Sequence, residues 1–112
     1  METMREKRID VAVLTVNQDY MDASNAAAVK QDILRQLDGR TQAILDLSRV
    51  AFVDSAGLSG LLACLQQVAQ AGGDLKLCGI TDEVRVLFDL IKMQRLFEIF
   101  DSTEQAVLAC EG

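Results

Sequence analysis

The sequence contains no histidine. A Ser-His-Asp triad is therefore impossible. With no Cys-x-x-Cys pair either, a zinc site is disfavoured. Neither a GxGxxG turn nor a Walker loop is present, and Gly57 and Gly60 are too sparse to cradle a phosphate. The stretch Asp54-Ser55-Ala56-Gly57 also lacks the GxSxG frame of a nucleophile elbow. Ordinary hydrolase and nucleotide-transfer chemistry is disfavoured, so the expectation is a protein that is not an enzyme and needs no cofactor.

Basic residues are scarce as well. Eleven Lys and Arg stand against 17 Asp and Glu, a formal charge of -6. That balance argues against direct nucleic-acid binding and against an anionic membrane surface. The one basic cluster, Arg5, Lys7 and Arg8, is diluted by Glu6 and reads as a solvated segment. No apolar run approaches the roughly 18 residues of a membrane-spanning helix, and the N-terminus has no signal-peptide core. The expected location is cytoplasmic. Cys64, Cys78 and Cys110 are odd in number and each lies beside apolar residues. They read as buried thiols, not as a disulfide framework.

What the chain does contain is aliphatic. Half of its 112 residues are hydrophobic, with four Phe, one Tyr and no Trp. That is enough core for one domain. Residues 9–16 alternate and are β-branched, predicting a strand, to which residues 1–8 can add a short partner. A polar stretch, residues 17–24, follows, with Asp22 or Ser24 as candidate cap. Ala26, Val29, Ile33 and Leu37 then give the apolar face of a helix over 25–38, closed by Asp38-Gly39. Residues 43–47 read as a central strand with Asp46 near its end. Asp46 and Asp54 read as a surface acid and a turn acid, since no further ligands complete a metal shell. From Leu58, the positions Leu61, Leu62, Leu65 and Ala69 fit one side of a helix that ends at Ala71-Gly72-Gly73. Residues 75–79 form a short strand. Thr81 or Asp82 caps a helix to about residue 92, with Val84, Leu87, Phe88 and Ile91 inward. Residues 96–100 suggest a last strand, and Ser102 or Thr103 starts a terminal helix. Strands alternating with helices define an α/β domain.

One segment stands apart: Phe52-Val53-Asp54-Ser55-Ala56-Gly57-Leu58-Ser59-Gly60-Leu61-Leu62. An acid, a hydroxyl and a glycine separate a hydrophobic strand from a hydrophobic helix. Local chemistry favours Ser55 as the helix cap. The same place suits phosphorylation. A phosphate brings roughly 1.5–2 negative charges, which helix-start N–H groups tolerate better than a hydrophobic interior does. It would leave the fold intact while repelling an acidic patch on a partner. Tyr20, Met21 and Asp22 read either as part of a recognition loop or as a turn with one apolar anchor.

Residues 43–62 (AILDLSRVAFVDSAGLSGLL) together with residues 72–107 resemble the STAS domain family, especially the bacterial anti-sigma-factor antagonists. The resemblance spans about residues 9–110 of a single domain taken over 1–112. It implies a mostly parallel or mixed β-sheet packed with helices from alternating β-α units. It implies that Ser55 is the phosphorylated serine. It also implies that an anti-sigma factor serine/threonine kinase binds the unmodified domain, releasing a sigma factor, and that a serine phosphatase opposes it. The implied partner surface comprises Asp19, Tyr20, Met21, Asp22 and Asn25, together with Asp54, Ser55, Ala56, Gly57, Leu58 and Ser59. Asp19 stands where the family often has Gly. Ser59 interrupts the usual Gly-Leu-Gly, and Ala56 replaces a second hydroxyl seen in some relatives. The alternative is a constitutive STAS interaction or scaffold domain that recruits another signalling protein without phosphorylation.

Overall fold

The computed structural model describes residues 11–37 and 42–111. The suggested strand over 1–8, its basic cluster and the Asp38-Gly39 turn lie outside the described residues.

Among the described residues, six strands, singly or in pairs, are each followed by one of four helices. Strand β1 is Val11–Thr15, β2 Tyr20–Met21, β3 Gln42–Asp46, β4 Phe52–Val53, β5 Asp74–Cys78 and β6 Ile99–Phe100. Helix α1 is Ala26–Gln36, α2 Ser55–Gln70, α3 Asp82–Ile91 and α4 Thr103–Glu111. The main sheet has the order β1-β3-β5-β6, and β2 pairs with β4 apart from it. Every described pairing is parallel. Each parallel step needs a crossover, and the helices supply it.

The central strands β3 and β5 are covered on both sides, which explains their nearly continuous apolar sequence. One face carries Ala43, Leu45, Leu75 and Leu77 into a core shared with Ile33, Leu61, Cys64 and Phe88. The other carries Ile44 and Cys78 against Ala106 of α4. In α1, the predicted face of Ala26, Val29, Ile33 and Leu37 is buried. Thr81 caps α3, accepting from the Val84 N–H at 3.4 Å while donating to the Val50 carbonyl at 3.0 Å.

Two predicted faces are corrected. Helix α2 buries Gly57, Gly60, Leu61, Cys64 and Val68, whereas Leu58, Leu62 and Leu65 are half-buried and Ala69 is exposed. The stripe is rotated because two glycines let the helix backbone approach its neighbours more closely than leucines would. In α3, Val84 and Phe88 are buried but Ile91 is 45% exposed. Lys92 takes a left-handed φ of 61° directly after it, so the helix has already ended. Cys64 and Cys78 are buried, while Cys110 is half-buried. Burial pushes the Cys64 thiol up to about 11, against a smaller opposing pull from Lys30.

Lys76 is the one charged residue among the described buried ones, 6% exposed on β5 beside Ile44. Its ammonium donates to Asp74 and, at 2.8 Å, to Glu98. Burial works against the charge, but the two carboxylate hydrogen bonds outweigh it and raise the pKa above the ordinary 10.5. A group with a raised folded pKa contributes its full share of stability below the unfolded value and loses it as pH climbs through the folded one. Lys76→Met should therefore flatten the loss of stability above pH 10.5. Urea unfolding from pH 8 to 11.5 checks this, and an unchanged alkaline limb contradicts it.

Candidate functional site

Strand β4 runs into α2, and the polar stretch after β1 folds back beside it. Pairing of Tyr20 with Phe52 and of Met21 with Val53 makes this junction. The stretch around residues 19–25, read from sequence as a loop, therefore contains a strand. Two residues are too few to show a period of two.

The cap of α2 is Asp54, not Ser55. The Asp54 backbone is extended, and one carboxylate oxygen accepts from the Gly57 N–H at 3.0 Å. The other accepts from the Ala23 N–H at 3.3 Å. The Asp54 N–H donates to the Met21 carbonyl at 3.1 Å. One residue thus satisfies a helix-start donor and ties the helix to the loop. Ser55 becomes the first helical residue and is exposed. Its hydroxyl is released from capping because the acid before it already fills that role.

Gly57 is buried against the same loop. A Cβ built there would lie 2.2 Å from the Met21 carbonyl oxygen. Its need is close approach, since its φ is not in the left-handed region. Met21 is fully buried. Among the residues of the implied partner surface, Met21 and Gly57 therefore shape the surface from beneath and offer no side chain to a partner. Asp19, Tyr20, Ser55 and Ser59 are exposed, and Asp22, Asn25, Asp54, Ala56 and Leu58 are partly so.

The loop is held by its own polar groups. Asp22 accepts from the Ser24 N–H at 2.9 Å and from the Ser24 hydroxyl. The Ser24 hydroxyl, then the Ser24 N–H, hold the Asp22 carboxyl below its usual range, so it is ionised at neutral pH. Asn25 accepts from the Asp22 N–H at 2.9 Å and donates to the Tyr20 carbonyl at 2.8 Å. Neither Asp22 nor Ser24 caps α1. The cap position is Asn25, and its side chain serves the loop instead of the helix. The Asp19 carbonyl accepts from the Ala51 N–H at 2.7 Å, which fixes the start of β4.

Beside Ser55 a shallow groove of about 490 Å³ runs between α1 and α2, floored by Ala26, Ala27, Gly60 and Ala63, with Lys30 and Ser59 on its margins. A second cavity, about 360 Å³ between the end of β1 and α1, meets the site only at Asn25. Among the described residues no three His, Cys, Asp or Glu side chains converge as a metal site, and no helix is long and apolar enough to cross a membrane. Sequence reading missed the Asp54–Ala23 bond and the exposure of Phe52. The only sequence signal for the latter was a phenylalanine one position before a residue that had to face inward.

The parallel sheet, its flanking helices and the loop locked to a helix start define a small α/β domain with one exposed loop-and-helix junction. The chain belongs to the STAS domain family, whose model matches residues 2–106. It is 30% identical over 103 residues to BtrV of Bordetella bronchiseptica, covering 91% of this chain and 89% of that protein. BtrV is named, provisionally, an anti-sigma factor antagonist. An anti-sigma factor antagonist from Mycobacterium paratuberculosis has the same fold, with a TM-score of 0.80 and 24% identity, covering 92% of this chain and 87% of that one. So does the STAS domain of a SulP transporter from Vibrio cholerae, with a TM-score of 0.71 and 20% identity over 89% and 80% of the two chains.

The two glycines of α2 should respond oppositely to alanine. Gly57→Ala places a methyl group on a backbone carbonyl that cannot retreat, and should cost about 3 kcal/mol or more. Gly60→Ala meets only an ordinary contact, 3.6 Å from the Ala26 carbonyl oxygen. It should be neutral or stabilising by about 0.5–1 kcal/mol. Asp54→Ala should cost about 1–2 kcal/mol through loss of the cap. Urea denaturation of the three variants measures this, and equal effects at the two glycines would contradict the close contact.

Proposed function

We propose that this protein is an anti-sigma-factor antagonist that binds an anti-sigma serine kinase while Ser55 is unmodified and leaves it once Ser55 is phosphorylated. The observation that carries the reading is the division of labour at the start of α2. Asp54 caps the helix, and Ser55 stands exposed as its first residue. Family membership and the named relative BtrV support the partner class.

The switch works by charge. A kinase active site presents a nucleotide polyphosphate and usually a carboxylate base to the accepting hydroxyl. A phosphoserine placed opposite them adds roughly 1.5–2 negative charges at the point of contact. On the antagonist itself the phosphate is tolerated, because the positive end of the α2 dipole lies beneath it. The repulsion therefore falls on the complex and spares the scaffold. Binding of the unmodified form displaces a sigma factor from the anti-sigma factor, and a serine phosphatase resets the cycle. ATP and sigma factors place these events in the cytoplasm. The second reading is a constitutive STAS contact without phosphate, the fold itself also occurring in a transporter's STAS domain.

Incubation with purified anti-sigma serine kinases of the source organism and Mg-ATP tests the proposal. Peptide mass mapping should find one phosphate, on Ser55. Ser55→Ala should stay folded, take no phosphate and keep its affinity. The phosphorylated protein should bind roughly 100-fold more weakly, a difference of about 2.7 kcal/mol. Equal affinity of the two forms would overturn the switch and favour the constitutive reading.

A further inference from the structure

Successive side chains on a strand point to opposite faces. In the β2–β4 pair the inner residues, Met21 and Val53, are 0% and 4% exposed. The outer residues, Tyr20 and Phe52, are 42% and 54% exposed and stand opposite each other in register. In a chain with only four Phe and one Tyr, this puts two aromatic rings side by side in water. The inner pair already supplies the core contact of these strands, so nothing in the packing requires an aromatic residue outside. Exposed aromatic clusters of this kind are typical anchors of protein interfaces, burying a large area at low entropy cost.

Charge around the pair restricts what can cover it. Asp19 and Asp22 flank the Tyr20–Met21 strand in the chain, and Asp54 follows Val53 directly. No lysine or arginine occurs within residues 9–29 or 50–75. Arg49, next to that second stretch, donates to Asn17 at 3.0 Å. Acidic residues thus stand next to the aromatic pair in the chain, while the cations Lys30 and Arg49 lie farther out.

We propose that Tyr20 and Phe52 are the apolar anchor of the contact with the anti-sigma kinase, seated in an apolar depression of that partner whose rim carries lysine or arginine opposite Asp19 and Asp54. The proposal rests on the partner reading above and adds Phe52, which lies three positions before Ser55 on the strand that leads into α2. The anchor holds the partner by burial and by a cationic rim. Its nucleotide faces Ser55. Phosphorylation then sets one anion against another without touching the anchor.

The experiment uses the full chain and the purified kinase that phosphorylates Ser55, with Mg-ADP, and measures Kd at 50 and 300 mM NaCl. Phe52→Ser and Tyr20→Ser should each weaken binding roughly tenfold or more, with circular dichroism confirming the fold. Phe52→Leu should recover part of the loss. Leu90→Ser, at a site 77% exposed on α3, should bind like the wild type. Asp19→Asn should weaken binding a few-fold at low salt and reduce the salt dependence, as expected for a charge partner at the rim. Wild-type affinity in both aromatic variants, with Ser55 still phosphorylated, overturns the anchor and leaves the switch standing. Loss equally large in Leu90→Ser also overturns it. If no anti-sigma kinase binds the wild type, the switch and the anchor fall together.

Discussion

The site depends on one backbone contact. Helix α2 reaches the Met21 carbonyl so closely that a single methyl group at residue 57 would lie 2.2 Å from its oxygen. That approach sets the position of the helix start relative to β2. Asp54 then locks it through its N–H to Met21 and its carboxylate to Ala23 and Gly57. A cap of this kind is worth about 1–2 kcal/mol. The loop with Asp19 and Tyr20 and the helix start with Ser55 therefore form one surface, although more than thirty residues separate them in the chain.

The rest of the fold packs behind that surface. Strands β3 and β5 are sealed on one face by α1, α2 and α3 and on the other by α4. The one described charge in that interior, Lys76, is neutralised by carboxylates at the solvent edge. Ser55 contributes nothing to either core cluster. Under the proposed switch, a change of charge at residue 55 would meet no core side chain, and its effect would fall on what touches the surface from outside. On that proposal, a scaffold that Ser55 does not help to pack is what would let a phosphate there act on binding alone.

Much of this was legible in the sequence, for reasons that can be named. Ala26, Val29, Ile33 and Leu37 recur at helical spacing with no competing residue on that face, so α1 read correctly. Alternating β and α patterns implied the parallel crossovers. The errors share a cause: they turn on tertiary contacts that local patterns do not carry. The apolar stripe of α2 was placed on leucines because glycine has no hydropathy signal, yet Gly57 and Gly60 lie on the buried side. Strand β2 was missed because its partner, β4, lies far along the chain and each has only two residues. The cap was placed on Ser55 because Asp and Ser are nearly equal as caps. What separates them is the Ala23 N–H, which only the folded loop brings to Asp54.

The order of the two residues carries the functional consequence. If the serine came first, its hydroxyl would be turned toward the helix N–H groups, and the acid would project from the first turn. Such a cap would stabilise the helix about as well, but a phosphate on it would have to displace the capping bonds and would loosen the loop. With the acid first, the cap and the exposed hydroxyl are different groups one residue apart. The carboxylate has two oxygens and uses them on two segments, Gly57 of the helix and Ala23 of the loop, which a single hydroxyl oxygen is poorly placed to do at once. The order Asp-Ser therefore separates the residue that stabilises the junction from the exposed hydroxyl beside it, and Gly57 is the small residue that lets both sit against the loop.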